Sequence, residues 1–169
     1  IIQNGKTKIV DVPVPQASEG HCLVRVANSS ISKGTELAGI RASETPIWKK
    51  ALKDPLKAID AITASNMSFT QVLDSVQIKS SAIIPSGYSA SGIIQKKGSG
   101  VSNNFQAGDR VACAGSQCAF HAEYISIPEN LLVKIPESVS FQDASTVTLG
   151  SIALQGVRRL NPTIGETFV

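Results

Sequence analysis

Gly87 and Gly92 bracket Tyr88 and three small residues in the stretch IIPSGYSASGII, residues 83 to 94. Such a stretch is a loop that cradles phosphate, a turn that only shapes the fold, or what remains of a catalytic turn. A phosphate loop needs the Lys-Ser/Thr pair of a P-loop or a full G-x-G-x-x-G at a strand-to-helix junction. Neither this stretch nor Gly98-Ser99-Gly100 carries one, so both read as turns. Tyr88 then offers either a phenol for proton donation or a half-buried ring whose hydroxyl reaches water. His121, one of two histidines, invites assignment as a general base. Cys113 and Cys118 flank Ala114 to Gln117 with no electropositive group nearby to make a thiolate, and read as buried, inert thiols. Lys49, Lys53 and Lys57 recur every four residues. They form either a solvated helical face or a basic stripe that attracts a nucleotide-sugar or an acidic polymer.

These groups are carried by a chain of 169 residues, enough for one well-cored domain with decoration. A hydrophobic fraction of 42% with 17% charged residues places it among globular proteins rather than disordered ones. The net charge of +3 is spread along the chain without a basic arm, so no nucleic-acid partner is expected. No apolar run approaches the roughly 18 residues of a membrane span, and no signal segment is present, so no membrane partner is expected. Cys22, Cys113 and Cys118 are an odd number at no zinc-like spacing, which suits a reduced cytoplasmic setting. The chain starts without Met and stops at GETFV, which suggests a piece cut from something longer.

Period-two patterns predict strands at KIVDVPVP, with Val10, Val12 and Val14 on one face, and at HCLVRVAN, with Cys22, Val24 and Val26 on one face. PQASEG is the turn between them. Thr45-Pro46 and Asp54-Pro55 predict two helix starts, and Phe69, Val72, Leu73 and Val76 predict a third helix. Strands resume at SGIIQKKG, GDRVACAG and AFHAEYISIP, separated by the Gly, Ser and Asn of GSGVSNNFQAGD. Ser140 and Asp143 form a capping-box-like start to a long apolar helix that ends near Asn161-Pro162, and TIGETFV then begins a buried strand.

The motifs SGYSASGII, GVSNNFQAGDRVACAG, HAEYISIPENLLVKIP and TLGSIALQGV occur in an order and at intervals that resemble the GroES-like catalytic domain of the medium-chain dehydrogenase/reductase superfamily, the zinc-type alcohol dehydrogenase fold. The long insert beside SISKGTEL and PSGYSASG is similar to threonine-dehydrogenase-like proteins of bacterial polysaccharide biosynthesis, where a second oxidoreductase module is often fused. The resemblance implies a mainly β domain with a helical insert (α+β). Its core would be a partly open GroES-like β-barrel over 1–145, with the insert at about 41–82. Residues 146–169 would be the connecting helix and first strand of a truncated Rossmann domain. It implies NAD or NADP as cofactor, bound by a glycine-rich turn beyond the chain, and a fragment inactive by itself. The expected partners are the missing Rossmann domain, a small-molecule substrate, a second module and further copies in a homo-oligomer.

The resemblance also supplies the site. Zinc-dependent relatives place three ligands where this sequence has Lys33 (or Ser32 if the register slips), Tyr88 and Leu149. None of these suits zinc, so no metal is expected. Hydride transfer then needs another group to stabilise negative oxygen, an effect of about 3 to 4 kcal/mol per well-placed donor. Tyr88 and Ser89 from one former ligand turn, and Ser32, Lys33 and Thr35 from the other, are the candidates. Thr35 matches a proton-relaying hydroxyl. Glu36, Gly87, Gly92, Gly108 and Asp109 match structural positions, and His121 falls on a structural strand. The expected function is the substrate side of a zinc-independent NAD(P)-dependent oxidoreductase acting on a polar, sugar-derived alcohol or carbonyl. The rival is a non-enzymatic GroES-like binding or oligomerisation module that has lost its metal.

Overall fold

The computed structural model describes residues 1–3, 5–44 and 85–167. The helices predicted over 45–82, and the lysine stripe on them, lie outside the described residues. The chain divides into two compact units, Ile1–Asp11 with Ser32–Ser86, and Val12–Ile31 with Gly87–Val169.

In the first unit, β1 (Ile2–Gln3) pairs antiparallel with β2 (Lys6–Thr7), and Ile2 is buried. Helix α1 (Lys33–Glu44) is tied to this hairpin by Ser43. Its Oγ accepts from the Gly5 amide at 2.8 Å and donates to the Ile40 carbonyl at 2.7 Å. Glu36 in the first turn and Arg41 in the last complement the helix dipole. This helix begins at Lys33.

The second unit is built on five strands: β3 (His21–Ser29), β4 (Ser89–Lys97), β5 (Arg110–Ala114), β6 (Tyr124–Pro128) and β7 (Leu132–Lys134). They form one antiparallel sheet in the order β6-β3-β4-β5-β7. The edge strands β6 and β7 do not pair with each other, so the sheet stays open, as the partly open form implies. Alternation decides which side chains go inward. Cys22 and Val24 of β3, Ala90 and Ile94 of β4, Val111 and Cys113 of β5, and Ile125 and Ile127 of β6 make one buried cluster. The opposite face of β5 buries Ala112 against Ile135 and Ala144. Burial on this scale contributes about 1.5 to 3 kcal/mol per fully buried Val or Ile side chain.

Four expectations are corrected. The segment from Lys8 to Val14 forms no strand, and Val10, Val12 and Val14 are exposed. Pro13 and Pro15 carry no amide proton, so the alternation there has little ladder to join. The first part of the third predicted strand, residues 119–123, is bend and irregular chain, and β6 starts only at Tyr124.

The long helix is two, α2 (Phe141–Ala144) and α3 (Val147–Leu160). The capping pair does start α2, with Ser140 Oγ accepting from the Asp143 amide at 3.1 Å. The helix breaks because Ser145 and Thr146 turn their hydroxyls onto the Gln142 and Asp143 carbonyls, each at 2.7 Å, and so compete with the backbone ladder. Helix α3 ends as expected at Asn161, in the left-handed conformation with φ 49°. Beyond it, residues 163–167 form no strand, and Ile164 is fully exposed. A strand needs a neighbour to take its backbone bonds, and the described residues offer none at that place.

Candidate hydroxyl site

The turn before β4 holds Tyr88 by its backbone. Gly87 has φ 103° and is buried, and a Cβ there would lie 2.6 Å from the His121 backbone nitrogen and 2.9 Å from the Phe120 carbonyl carbon. Only glycine fits both the dihedral and the gap. The Tyr88 carbonyl accepts from the Gly115 amide at 2.9 Å and from Thr148 Oγ1 at 3.4 Å, and the residue as a whole is half-buried. Gly92, inside β4, has its Cα against the Arg25 carbonyl, where a side chain would collide. Gly108 and Asp109 stand in the turn before β5. There the Gly108 amide donates to the Ile94 carbonyl at 2.8 Å, and Asp109 pairs with Lys134 at 2.8 Å.

Ser89 is fully buried. Its Oγ donates to the Ser145 carbonyl at 2.6 Å and accepts from the Thr148 amide at 3.4 Å. Its proton is therefore engaged inside the protein. Ser91, two residues on and on the same side of β4, is equally buried and donates to the Phe141 carbonyl at 2.6 Å. Arg110 completes this attachment of the sheet to the α2 region. Its guanidinium donates to the carbonyls of Pro136 (3.1 Å), Glu137 (3.2 Å) and Val139 (2.6 Å), and stacks 4.6 Å over the Phe141 ring. Sequence reasoning missed Ser91, Arg110 and Thr148. The two serines at strand period in an otherwise apolar run were the one signal available.

The other candidates lie in the first unit at the start of α1. Ser32 Oγ and Thr35 Oγ1 are 3.1 Å apart and share a hydrogen bond, and the Ser32 carbonyl accepts the Glu36 amide at 2.9 Å. Lys33 between them is exposed. This pair is a donor cluster and a helix start at once.

The remaining reactive residue types are employed elsewhere. His121 Nδ1 lies 2.9 Å from Ser29 Oγ, joining the turn before β6 to the end of β3. Burial pushes the Cys113 thiol up to about 12 and raises those of Cys22 and Cys118, so none is a ready thiolate. Both histidines and all three cysteines lie among the described residues, where no three His, Cys, Asp or Glu side chains gather. Leu149, which the resemblance sets against a zinc-ligand position of zinc-dependent relatives, is a partly exposed hydrocarbon on α3. No helix among the described residues is long and apolar enough to cross a membrane.

No family model matches the chain. Among curated proteins it is 39% identical over 88 residues to a highly reducing polyketide synthase of Didymella fabae, covering 52% of this chain and 4% of that protein. It is 27% identical over 154 residues to the highly reducing polyketide synthase Dhc3 of Alternaria cinerariae, covering 84% of this chain and 6% of that protein. It is 37% identical over 75 residues to the trans-enoyl reductase resD of Aspergillus sclerotiorum, covering 40% of this chain and 21% of that protein.

Among solved structures, the quinone oxidoreductase from Coxiella burnetii matches with a TM-score of 0.65 at 21% identity, over 94% of this chain and 42% of that one. The Escherichia coli quinone oxidoreductase complexed with NADPH matches at 0.57 and 20% identity, over 89% and 35%. The CurK enoyl reductase matches at 0.53 and 17% identity, over 88% and 36%. The chain thus spans less than half the length of each of these proteins. At these identities the likeness shows the fold: over the share it covers, the chain is built as these oxidoreductases are, with the open GroES-like sheet that its motifs imply.

Proposed function

We propose that this chain is the substrate-side part of an NADPH-dependent, zinc-independent reductase acting on an α,β-unsaturated acyl thioester of the polyketide kind. The observation that carries the reading is the 37% identity to a trans-enoyl reductase, reinforced by the likeness to polyketide synthases over as much as 84% of the chain. The sugar-derived substrate and polysaccharide context have no counterpart among these relatives, and enoyl reduction takes their place. A chain matching 4% of a polyketide synthase supports a multi-module protein as the setting, in the sense of the fused module expected above.

Reduction of an enoyl thioester adds hydride at the β-carbon and moves negative charge onto the carbonyl oxygen, before a proton reaches the α-carbon. NADPH supplies the hydride when bound, a choice over NADH that rests on the E. coli relative. The residues described here do not fit its pyrophosphate, since no G-x-G-x-x-G stands at a strand-to-helix junction, and another part of the protein is assigned that task. Zinc does not fit either, because an ammonium, a phenol and a hydrocarbon stand at Lys33, Tyr88 and Leu149. The oxygen is left to a side-chain hydrogen-bond donor, and the Tyr88 phenol is the one assigned. The Ser32, Lys33 and Thr35 cluster is the second candidate donor, tested by its own substitutions.

The test is made on the full protein that carries this chain, with crotonyl thioester and NADPH. The expected result is loss of reduced-nicotinamide absorbance and a saturated product by mass spectrometry. Tyr88→Phe should lower kcat by about two orders of magnitude with KM little changed, the loss of one oxyanion donor. No turnover of enoyl thioester, enone or quinone would overturn the reading in favour of a non-enzymatic module.

A further inference from the structure

Helix α3 lacks a cap of its own. Its N-cap residue is Thr146, whose hydroxyl is spent on the Asp143 carbonyl, and no side chain of the α2–α3 segment receives the first-turn amides. The first four amides of a helix need partners from outside it. Ser89 of β4 supplies one from across the fold. Its single hydroxyl accepts the Thr148 amide and donates to the Ser145 carbonyl, so it serves both sides of the break between the helices. Thr148 answers with its own hydroxyl on the Tyr88 carbonyl.

We infer that Ser89 is a positioning residue: it caps α3 from the strand and, with Thr148, locks the Tyr88 backbone to the start of that helix. Three hydrogen bonds form a closed clamp between residues 88–89 and residues 145–148. The Gly115 amide on the Tyr88 carbonyl and the Ser30 amide on the Ser89 carbonyl, at 3.0 Å, hold the same two peptide units from the sheet side. A shift of the start of α3 therefore moves Tyr88, whereas the Phe141 carbonyl in α2 is held by Ser91, farther along β4. Only the kinetic consequence rests on the enoyl-reductase reading.

Ser91→Ala is the matched control, since it removes a hydroxyl of the same burial and the same 2.6 Å bond to a helix-segment carbonyl, without touching Tyr88. The full protein is labelled with fluorotyrosine, and the Tyr88 resonance is identified by its loss in Tyr88→Phe. Ser89→Ala should shift or broaden that resonance while Ser91→Ala leaves it in place. In the reductase assay, Ser89→Ala should lower kcat about tenfold with KM within about twofold, and Ser91→Ala should leave both unchanged.

If Ser89→Ala does not fold, Thr148→Val, which keeps the helix and deletes only the bond to the Tyr88 carbonyl, should produce the same spectral shift. An unmoved Tyr88 resonance in the folded variant, or equal shifts in Ser89→Ala and Ser91→Ala, would overturn the inference. A shifted resonance in a protein with no reductase activity would uphold the clamp and remove the enoyl-reductase reading alone.

Discussion

A side chain at position 87 has no room. The backbone dihedral lies in the region that L residues avoid, and the His121 and Phe120 backbones stand where a Cβ would go. Gly87→Ala should cost about 1 to 3 kcal/mol of unfolding free energy in urea titration, from strain and from displacing the turn. Gly34→Ala in α1, where nothing lies within 4 Å, should leave stability unchanged or slightly higher. Equal effects of the two would show that the turn before β4 yields freely. The sequence marks Gly87 as a turn glycine, but the identity of the opposing backbone belongs to residues more than thirty positions away. The same holds for Ser89. Its type does not name its hydrogen-bond partners, and the Ser145 carbonyl and the Thr148 amide that it meets lie far along the chain.

Among the elements, β7 is a short edge strand held at one end by an ion pair. Asp109 accepts from Lys134, which chiefly holds its carboxyl below the usual carboxylate range. Burial opposes this, and the Gln106 amide assists it. A carboxyl depressed in the fold contributes stability that is fully present above the unfolded value of about 3.9, and that is lost as pH falls through the lower folded value. With Lys134 half exposed, Asp109→Asn should cost no more than about 1 kcal/mol at neutral pH. That difference should shrink below about pH 4 in thermal melts across a pH series. A gap unchanged into strong acid would assign Asp109 a neutral hydrogen-bonding role instead. The pairing partner could not be read from the sequence. Strands β3 to β5 could, because their alternation carries the core; local pattern misled where it met proline in residues 8–14, in the bend before β6, at the helix-breaking hydroxyls and over residues 163–167.

At the scale of the molecule, the metal question turns on residue types that the chain holds wherever they sit. The full protein, purified without added metal, should contain clearly substoichiometric zinc by elemental analysis. One zinc per chain, lost on Tyr88→Phe, would overturn the zinc-independent reading.

The sequence by itself determined the strands β3 to β5, the turn glycines and the residue types at Lys33, Tyr88 and Leu149, since each depends on local pattern or on residue identity. Only the tertiary structure decided that the long helix breaks at Ser145–Thr146, and that Ser89 and Thr148 close the break onto Tyr88. Such bonds join positions more than fifty residues apart, and a hydroxyl's partner is set by where the chain brings it rather than by its neighbours in sequence.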